Sequence, residues 1–463
     1  MSRCRFPQIA SAILVAASAA CTVGPDYERP LTPPVSAYRQ PHADGASIVG
    51  LDWWQLFEDP TLQELIETAL INNRDLRASL ARIAEARANL GFVKADLYPK
   101  VDYLLRGSFE ATASDSEEGG ATTADVFAGL SAFWEIDLWG KIRRSNEAAL
   151  NDLLATEESF RGVTITLVAD VASFYLLLRD LDNRLDIADA TVESRADALD
   201  IIQARFDAGM ISEVDVRQAE IQLAGAEATV EAVTRVRAQT ENVIALLIGS
   251  PPLSVPRGQP LEDQIFPPDI PAGLPSELLE RRPDILVSER QLAAQTARIG
   301  VAEALKFPSL SLTADAGVSS TALSEMTVNT GLFGLGLDLF GPLFNAGRNQ
   351  QRVEIEKART EQLLSVYEQT ILNAFREVED ALVAVETYRR EYEIRLRQVD
   401  AASDALNMSR ARYEGGWTSF LEVLDLERSL FDSQLSASET LQLQLVSIVE
   451  LYRALGGGWA AGP

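Results

Sequence analysis

The chain carries one pattern twice, and that duplication constrains its fold more than any other feature. At an offset of 207, residues 204–220 and 411–427 agree at six of 17 positions: Ala204/Ala411, Arg205/Arg412, Gly209/Gly416, Ser212/Ser419, Val216/Val423 and Glu220/Glu427. Phe206/Tyr413, Asp207/Glu414, Val214/Leu421 and Asp215/Glu422 keep their chemistry. At an offset of 209, Asp75 meets Asp284, Gly91 meets Gly300, and Tyr98-Pro99 meets Phe307-Pro308. Any two amphipathic helices look alike, but matched glycines and aromatic-proline pairs at nearly one offset indicate a repeated unit. Between the halves, residues 250–275 hold eight of the 20 prolines and read as an extended connector. A second Pro-rich stretch, 25–41, reads as an N-terminal arm. The expected plan is a signal at 1–20, an arm at 21–60 and a first repeat at 61–249. The linker at 250–275, a second repeat at 276–456 and a tail at 457–463 complete it.

Each repeat is expected to run helix, two strands, very long helix, helix. Leu310, Leu312, Ala314, Ala316 and Val318 alternate with Ser309, Ser311, Thr313, Asp315 and Gly317. Phe333, Leu335, Leu337 and Leu339 return with Gly334, Gly336 and Asp338 between them. In the first half, Val126, Ala128, Leu130, Ala132, Trp134 and Ile136 alternate with Phe127, Gly129, Ser131, Phe133 and Glu135. Period-2 alternation means strands with one apolar and one polar face. The hairpins are expected within 98–138 and 307–340, with loops at 111–125 and 319–330. A β-sandwich hairpin shows the same alternation; the aromatic ends (Tyr98, Trp139, Phe307, Phe340) fit an outer-membrane barrel better. Four strands cannot close such a barrel, because about eight is the minimum. Open strand edges in lipid leave N–H and C=O groups unpaired at several kcal/mol each. If these strands span a membrane, copies must assemble.

The helices point the same way. Val163, Leu167, Val171, Phe174, Leu178, Leu181, Leu185, Ala188 and Val192 follow the 3-4 spacing of a coiled-coil seam. No proline interrupts the chain between Pro99 and Pro251. Residues 145–206 can form one helix of roughly 90 Å at about 1.5 Å per residue. The second half repeats it from Asn349 to Tyr413, through Ile371, Phe375, Val378, Leu382 and Val385. A structural coiled coil alone would explain the helices but not the strands.

Arg3 and Arg5, the apolar run Ile9–Ala20 and small residues before Cys21 form a secretory signal, too short to span a membrane. A small residue followed by Cys resembles a bacterial lipoprotein signal, which would make Cys21 an acylated N-terminus. Ser18-Ala19-Ala20 also fits ordinary cleavage. Thr22, in place of Asp, suits an outer-membrane destination. No later stretch reaches about 18 consecutive apolar residues, so no spanning α-helix is expected.

Composition removes several functions. One His (His42) and two Cys (Cys4, Cys21) argue against a His/Cys metal site, a disulfide in the mature chain or a Ser-His-Asp triad. The net charge of −27 argues against nucleic acid. Gly331, Gly334, Gly336 and Gly341 lack the spacing of a dinucleotide loop and lie in a strand pattern. No catalytic residue, metal or cofactor is expected.

The repeated turn, Arg-aromatic-Asp/Glu-x-Gly, ends both long helices. Gly209 and Gly416 stand as C-caps, and Ser212 and Ser419 as N-caps of the next helix. Glu422 and Asp425 lie three apart, on one helix face. A solvated face would have the same look. In a symmetric assembly the pair would form carboxylate rings that constrict a pore and favour cations.

Several motifs together resemble the outer-membrane factor lipoproteins of tripartite efflux systems, the TolC-like group, and within it the nodulation-type (NodT) lipoproteins. They are Cys21-Thr22-Val23-Gly24-Pro25-Asp26-Tyr27, Trp53-Trp54, Trp134-Glu135-Ile136-Asp137-Leu138-Trp139-Gly140, Arg281-Arg282-Pro283-Asp284, and the two turns. The resemblance implies an α+β membrane protein, a trimer in the outer membrane, lipid-anchored and extending into the periplasm. Each subunit would give four strands to a 12-stranded β-barrel continuous with a long α-helical coiled-coil barrel. It implies a passive duct for small toxic compounds, served by an inner-membrane transporter of the resistance-nodulation-division (RND) type and a periplasmic adaptor. A duct for type I protein secretion is the rival reading. By the resemblance, Arg205, Gly209, Ser212, Arg412, Gly416 and Ser419 belong to the adaptor-docking tip. In the periplasmic gate, Leu421 and Asp425 match the innermost constriction and Glu422 falls where another member has a carboxylate ring; Asp215 and Tyr413 match the links that hold it closed, and Arg428 a nearby charged partner. Thr418 stands where the best-known member has a gate Arg, which shifts weight to Leu421 and the carboxylates.

Overall fold

The computed structural model describes residues 22–31, 38–39, 57–111, 122–264, 275–320 and 331–457. Cys21, His42, Trp53 and Trp54 lie outside these, as does the centre of the expected linker. The element order is α1 (Pro60–Asn72), α2 (Arg74–Ala95), β1 (Lys100–Ala111), β2 (Thr122–Ile136), α3 (Lys141–Asp207), α4 (Glu213–Leu247). It then repeats as α5 (Pro275–Arg281), α6 (Pro283–Ala304), β3 (Ser309–Ser320), β4 (Gly331–Phe340), α7 (Arg348–Glu414), α8 (Phe420–Ala454). Both long helices have 67 residues and both that follow have 35.

Two differences from the expected plan have clear causes. The first helix of each repeat is broken in two. In the first repeat Asn73 takes an extended ψ of 133°. Its amide donates to Leu247 O at 2.9 Å, and its Oδ1 accepts from Leu76 N at 2.9 Å. In the second repeat Pro283 starts a new helix, having no N–H to continue the old one. The hairpin arms also extend beyond the alternating core, so β2 begins at Thr122, inside the segment expected to be loop.

The described residues fall into two compact units that each draw on both repeats. One holds the sheet, most of α2 and α6, and the adjoining starts of α3 and α7. Its strands run in the order β1-β2-β3-β4, all antiparallel. Register aligns the apolar positions of all four strands: Tyr103 faces Leu130, Leu130 faces Ala316, and Ala316 faces Phe333. Leu105–Ala128–Val318 and Val101–Ala132–Ala314–Leu335 form parallel rows. One face is therefore apolar along these rows. It is also open: Tyr103 is 90%, Phe333 77% and Leu335 67% exposed. The other face carries Asp102, Arg106, Ser131, Glu135, Asp315 and Asp338. There the Phe127 ring covers Gly129 and Gly317, whose lack of Cβ makes room for it.

The other unit is helical. Leu167, Val171, Leu178 and Leu181 of the expected α3 seam are buried, with Tyr175 and Leu176 beside them. Ile371, Val378 and Leu382 of α7 are buried too. Asp59 is wholly buried yet satisfied. Its Oδ1 accepts from Thr61 N, capping α1, and its Oδ2 accepts from Tyr175 OH (2.7 Å), Gln259 N (3.1 Å) and Gln264 Nε2 (2.9 Å). This ties the start of the Pro-rich connector to α1 and α3. Burial, with the Asp59 carboxylate, pushes the Tyr175 hydroxyl well above its ordinary pKa.

Counting consecutive apolar residues understates α3. One 18-residue window of it has mean hydropathy 1.5, enough by composition to cross a membrane, but 56% of that window is buried against other helices. It is a core helix.

Candidate functional site

The two repeated turns come together at one end of the helical unit. At the first, Gly209 has φ 74°, Gly209 N–H donates to Phe206 O, and Met210 N–H donates to Arg205 O. At the second, Gly416 has φ 75°, with Tyr413 O and Arg412 O accepting in the same way. This is the glycine-terminated cap the spacing predicts. A residue with Cβ would be strained at either φ, so both glycines are conformational requirements. Ser212 and Ser419 take the extended N-cap conformation. Met210 and Trp417, the residues after the glycines, are 68% and 81% exposed.

Beneath the turns, Ile202, Val216, Ala219, Leu406, Phe420, Val423 and Leu424 form one buried cluster from all four helix ends. Val423 and Leu424 are committed to it. Leu421, Asp425 and Arg428 therefore lie on the opposite side of α8, at a spacing of i, i+4, i+7, and are exposed. Asp425 and Arg428 pair at 2.6 Å. Both are well exposed, so the pair contributes little to stability.

The repeat-related carboxylates Asp215 and Glu422 do different work. Asp215 accepts from Ser212 N (3.1 Å) and Ser212 Oγ (3.0 Å), a capping box that secures α4. Glu422 instead accepts from Thr418 Oγ1 and from Ser409 Oγ (3.4 Å), with Arg412 at 3.8 Å. The Thr418 hydrogen bond, helped by Arg412 and Ser409, holds this carboxyl below the usual carboxylate range. Thr418 thus serves as a hydroxyl donor where the resemblance puts an Arg. Tyr413, expected to join Asp215 in a link, meets other partners: Phe420 at 5.4 Å and the guanidinium of Arg205 at 5.1 Å over its ring. Arg205, read from sequence as a docking residue, connects the first turn to the second.

A second tie between helices lies deeper, and nothing in the sequence pattern marked it. Arg195 of α3 is buried. Its Nη1 donates to Gln222 O of α4 at 2.6 Å, and its guanidinium lies 5.1 Å over Phe431 of α8. Burial lowers its pKa from the ordinary arginine value. Arg410 pairs with Glu427 at 2.7 Å beside it. The only signal available was an arginine close to a seam, which most exposed arginines share.

At the end of β2, Trp139 stacks on Phe307 at 4.6 Å and its Nε1 donates to Pro308 O at 2.8 Å. The N-terminal arm is fastened at the same point. Val23 N donates to Trp139 O at 3.1 Å, and a Cβ on Gly140 would strike Thr22. Arg144 holds Val23 O, Gly24 O and Asp26 (2.7 Å).

The family described as outer membrane efflux protein matches twice, at residues 65–250 and 274–457. The outer membrane protein OprJ of Pseudomonas aeruginosa is 36% identical over 468 residues, covering 98% of this chain and 96% of its own. The solvent efflux pump outer membrane protein SrpC of Pseudomonas putida is 36% identical over 457 residues, covering 95% and 96%. The crystal structure of the open state of the Neisseria gonorrhoeae MtrE outer membrane channel superimposes with a TM-score of 0.85 at 30% identity. It covers 95% of this chain and 98% of that one.

Proposed function

The chain belongs to the outer membrane efflux protein family, and from that premise we propose that it is the passive exit duct of a tripartite pump, built from three copies. The sheet carries this reading: four strands with one apolar, exposed face and two open edges. Lipid would cover the face, but unpaired edges in lipid cost several kcal/mol per group. Three copies supply twelve strands and remove every edge. The polar face then lines a conduit.

The helical tips supply the gate and the docking surface. Leu421 and Asp425 of three α8 helices would form an apolar and an acidic ring, with Glu422, whose carboxyl Thr418 holds below the usual carboxylate range, adding charge. The Arg205–Tyr413 contact would hold the tip, and the Asp425–Arg428 pair would set the charge of the ring. The turns at Gly209 and Gly416, with Arg412, Ser212 and Ser419, would meet a periplasmic adaptor, and an inner-membrane RND transporter would supply the energy. The matched relatives favour efflux over type I secretion. Deletion in the native host should raise susceptibility to at least one class in a panel of drugs, metals, solvents and dyes, with recovery on complementation. No change across the panel would sink the efflux reading.

We also infer that Cys21 is acylated. Thr22, the residue that follows it, is pinned at the Trp139–Gly140 rim of the sheet, where an acyl chain would enter the same lipid as the apolar face. Labelled palmitate should enter the wild-type protein and not the Cys21→Ser variant. Equal labelling of both would refute the anchor.

A further inference from the structure

The two hairpins follow one plan closely enough to dictate a contact that a single chain cannot make. β1 and β3 correspond at an offset of 209, and β2 and β4 at an offset of 207. The partners Lys100↔Phe133 map directly onto Ser309↔Phe340. The second offset also joins Gly140 to Gly347, with φ of 78° and 81°, and the first residues of α3 and α7, Lys141 and Arg348.

The seam between the hairpins, β2 against β3, therefore has a counterpart: β4 of one copy against β1 of another. Its register follows from the seam within the chain. There Ala132 faces Ala314 and Ser131 faces Asp315. Shifting the first partner forward by 207 and the second back by 209 sets Leu339 opposite Leu105 and Asp338 opposite Arg106.

Charge supports this register independently. Asp338 and Arg106 share the polar face, and neither has an ion-pair partner among the described residues. The duplication did not require opposite charges here, since the corresponding pair inside the chain is Ser131 and Asp315. A slip of two residues would set Asp338 opposite Leu104 or Ser108, and Arg106 opposite Gly336 or Phe340. A slip of one would turn the apolar row of β4 onto the polar face of β1. Inside the chain, the β2–β3 seam is also held by Trp139 on Phe307. The corresponding positions between copies are Ala346 and Tyr98, which cannot repeat that stack.

We propose that β4 of one copy pairs antiparallel with β1 of the next in the register that opposes Asp338 to Arg106 and Leu339 to Leu105. The inference rests on the reading of the sheet as one part of a barrel of copies. It adds that an ion pair on the conduit side specifies how the copies align.

The test uses full-length protein in outer membranes. Directly opposed Cα atoms lie about 4.5–5.5 Å apart, within disulfide reach. Diagonal neighbours at about 7–8 Å are not. Leu105→Cys with Leu339→Cys should give disulfide-linked trimers on a non-reducing gel, and each single variant should not. Leu105→Cys with Leu337→Cys, slipped by two, should link far less. Preferential linking of the slipped pair, or of neither pair in an intact trimer, overturns the register and leaves the duct reading standing. A protein that stays monomeric throughout overturns the assembly as well. In parallel, Arg106→Asp should cost the trimer its resistance to SDS, and adding Asp338→Arg should restore it. A double variant no more resistant than the single overturns the ion pair.

Discussion

Replacing Arg282 with alanine is expected to destabilise the protein by about 1–3 kcal/mol, the cost of hydrogen bonds to charged groups lost and a buried carbonyl left unfilled; the carboxylates left behind, Asp284 and Glu377, are 47% and 42% exposed, so water screens their charge. The guanidinium is buried and fully engaged. Nε and Nη2 grip Asp284 at 3.0 and 2.7 Å, Nη2 also reaches Glu377 of α7 at 2.7 Å, and Nη1 donates to Ala454 O at 2.7 Å. Ala454 is the last residue of α8, so the side chain also fills an end carbonyl that has no intrahelical donor. Burial works against the charge, but Asp284 and Glu377 outweigh it and raise the pKa of Arg282. Alanine would leave two carboxylates facing each other and a buried carbonyl unfilled. Lysine should recover only part of the loss, because a single ammonium cannot match the planar fork. The measurement is the midpoint of thermal unfolding of detergent-solubilised protein. A midpoint unchanged in Arg282→Ala would show that the Arg-Arg-Pro-Asp segment does not brace the structure.

That segment illustrates what the sequence made legible and what it did not. Arg281-Arg282-Pro283-Asp284 is recognisable as a motif, but the helix start at Pro283 is not part of the expected plan, and the partners of Arg282, Glu377 and Ala454, are far away in sequence. Period and punctuation revealed whatever repeats locally. The alternation of β3 and β4 emerged as strands, and the glycine-ended turns as caps. The expected helix 145–206 appears as Lys141–Asp207. Buried polar ties have no period. Asp59 with Tyr175 and Gln264, and Arg195 with Phe431, join residues that only the packed helices bring together. Hence Asp215 and Glu422, equivalent by repeat, differ in employment in a way the repeat does not announce: one caps a helix and the other turns to Thr418. Duplication predicts backbone equivalence well and side-chain employment poorly, because one substituted neighbour, such as Thr418, redirects a carboxylate.

The double change Leu421→Ala, Asp425→Ala is expected to raise single-channel conductance in planar bilayers several-fold and to weaken cation preference. The burial of Val423 and Leu424 fixes the rotation of α8, so Leu421 and Asp425 cannot turn into the core when the tip is closed. Whatever lies opposite that exposed face in an assembly of copies sees an apolar ring beside an acidic one. Removing Leu421 widens the apolar ring. Removing Asp425 deletes one carboxylate per copy and frees Arg428, turning a neutral pair into a positive charge. The two effects separate. Leu421→Ala alone should raise conductance with selectivity kept, and Asp425→Ala alone should shift selectivity towards anions. Asp425→Asn, which keeps the volume and removes the charge, should reproduce the selectivity shift with little added conductance. Conductance and selectivity unchanged in the double variant would remove α8 from the gate and leave the constriction to the first turn, around Asp215 and Met210.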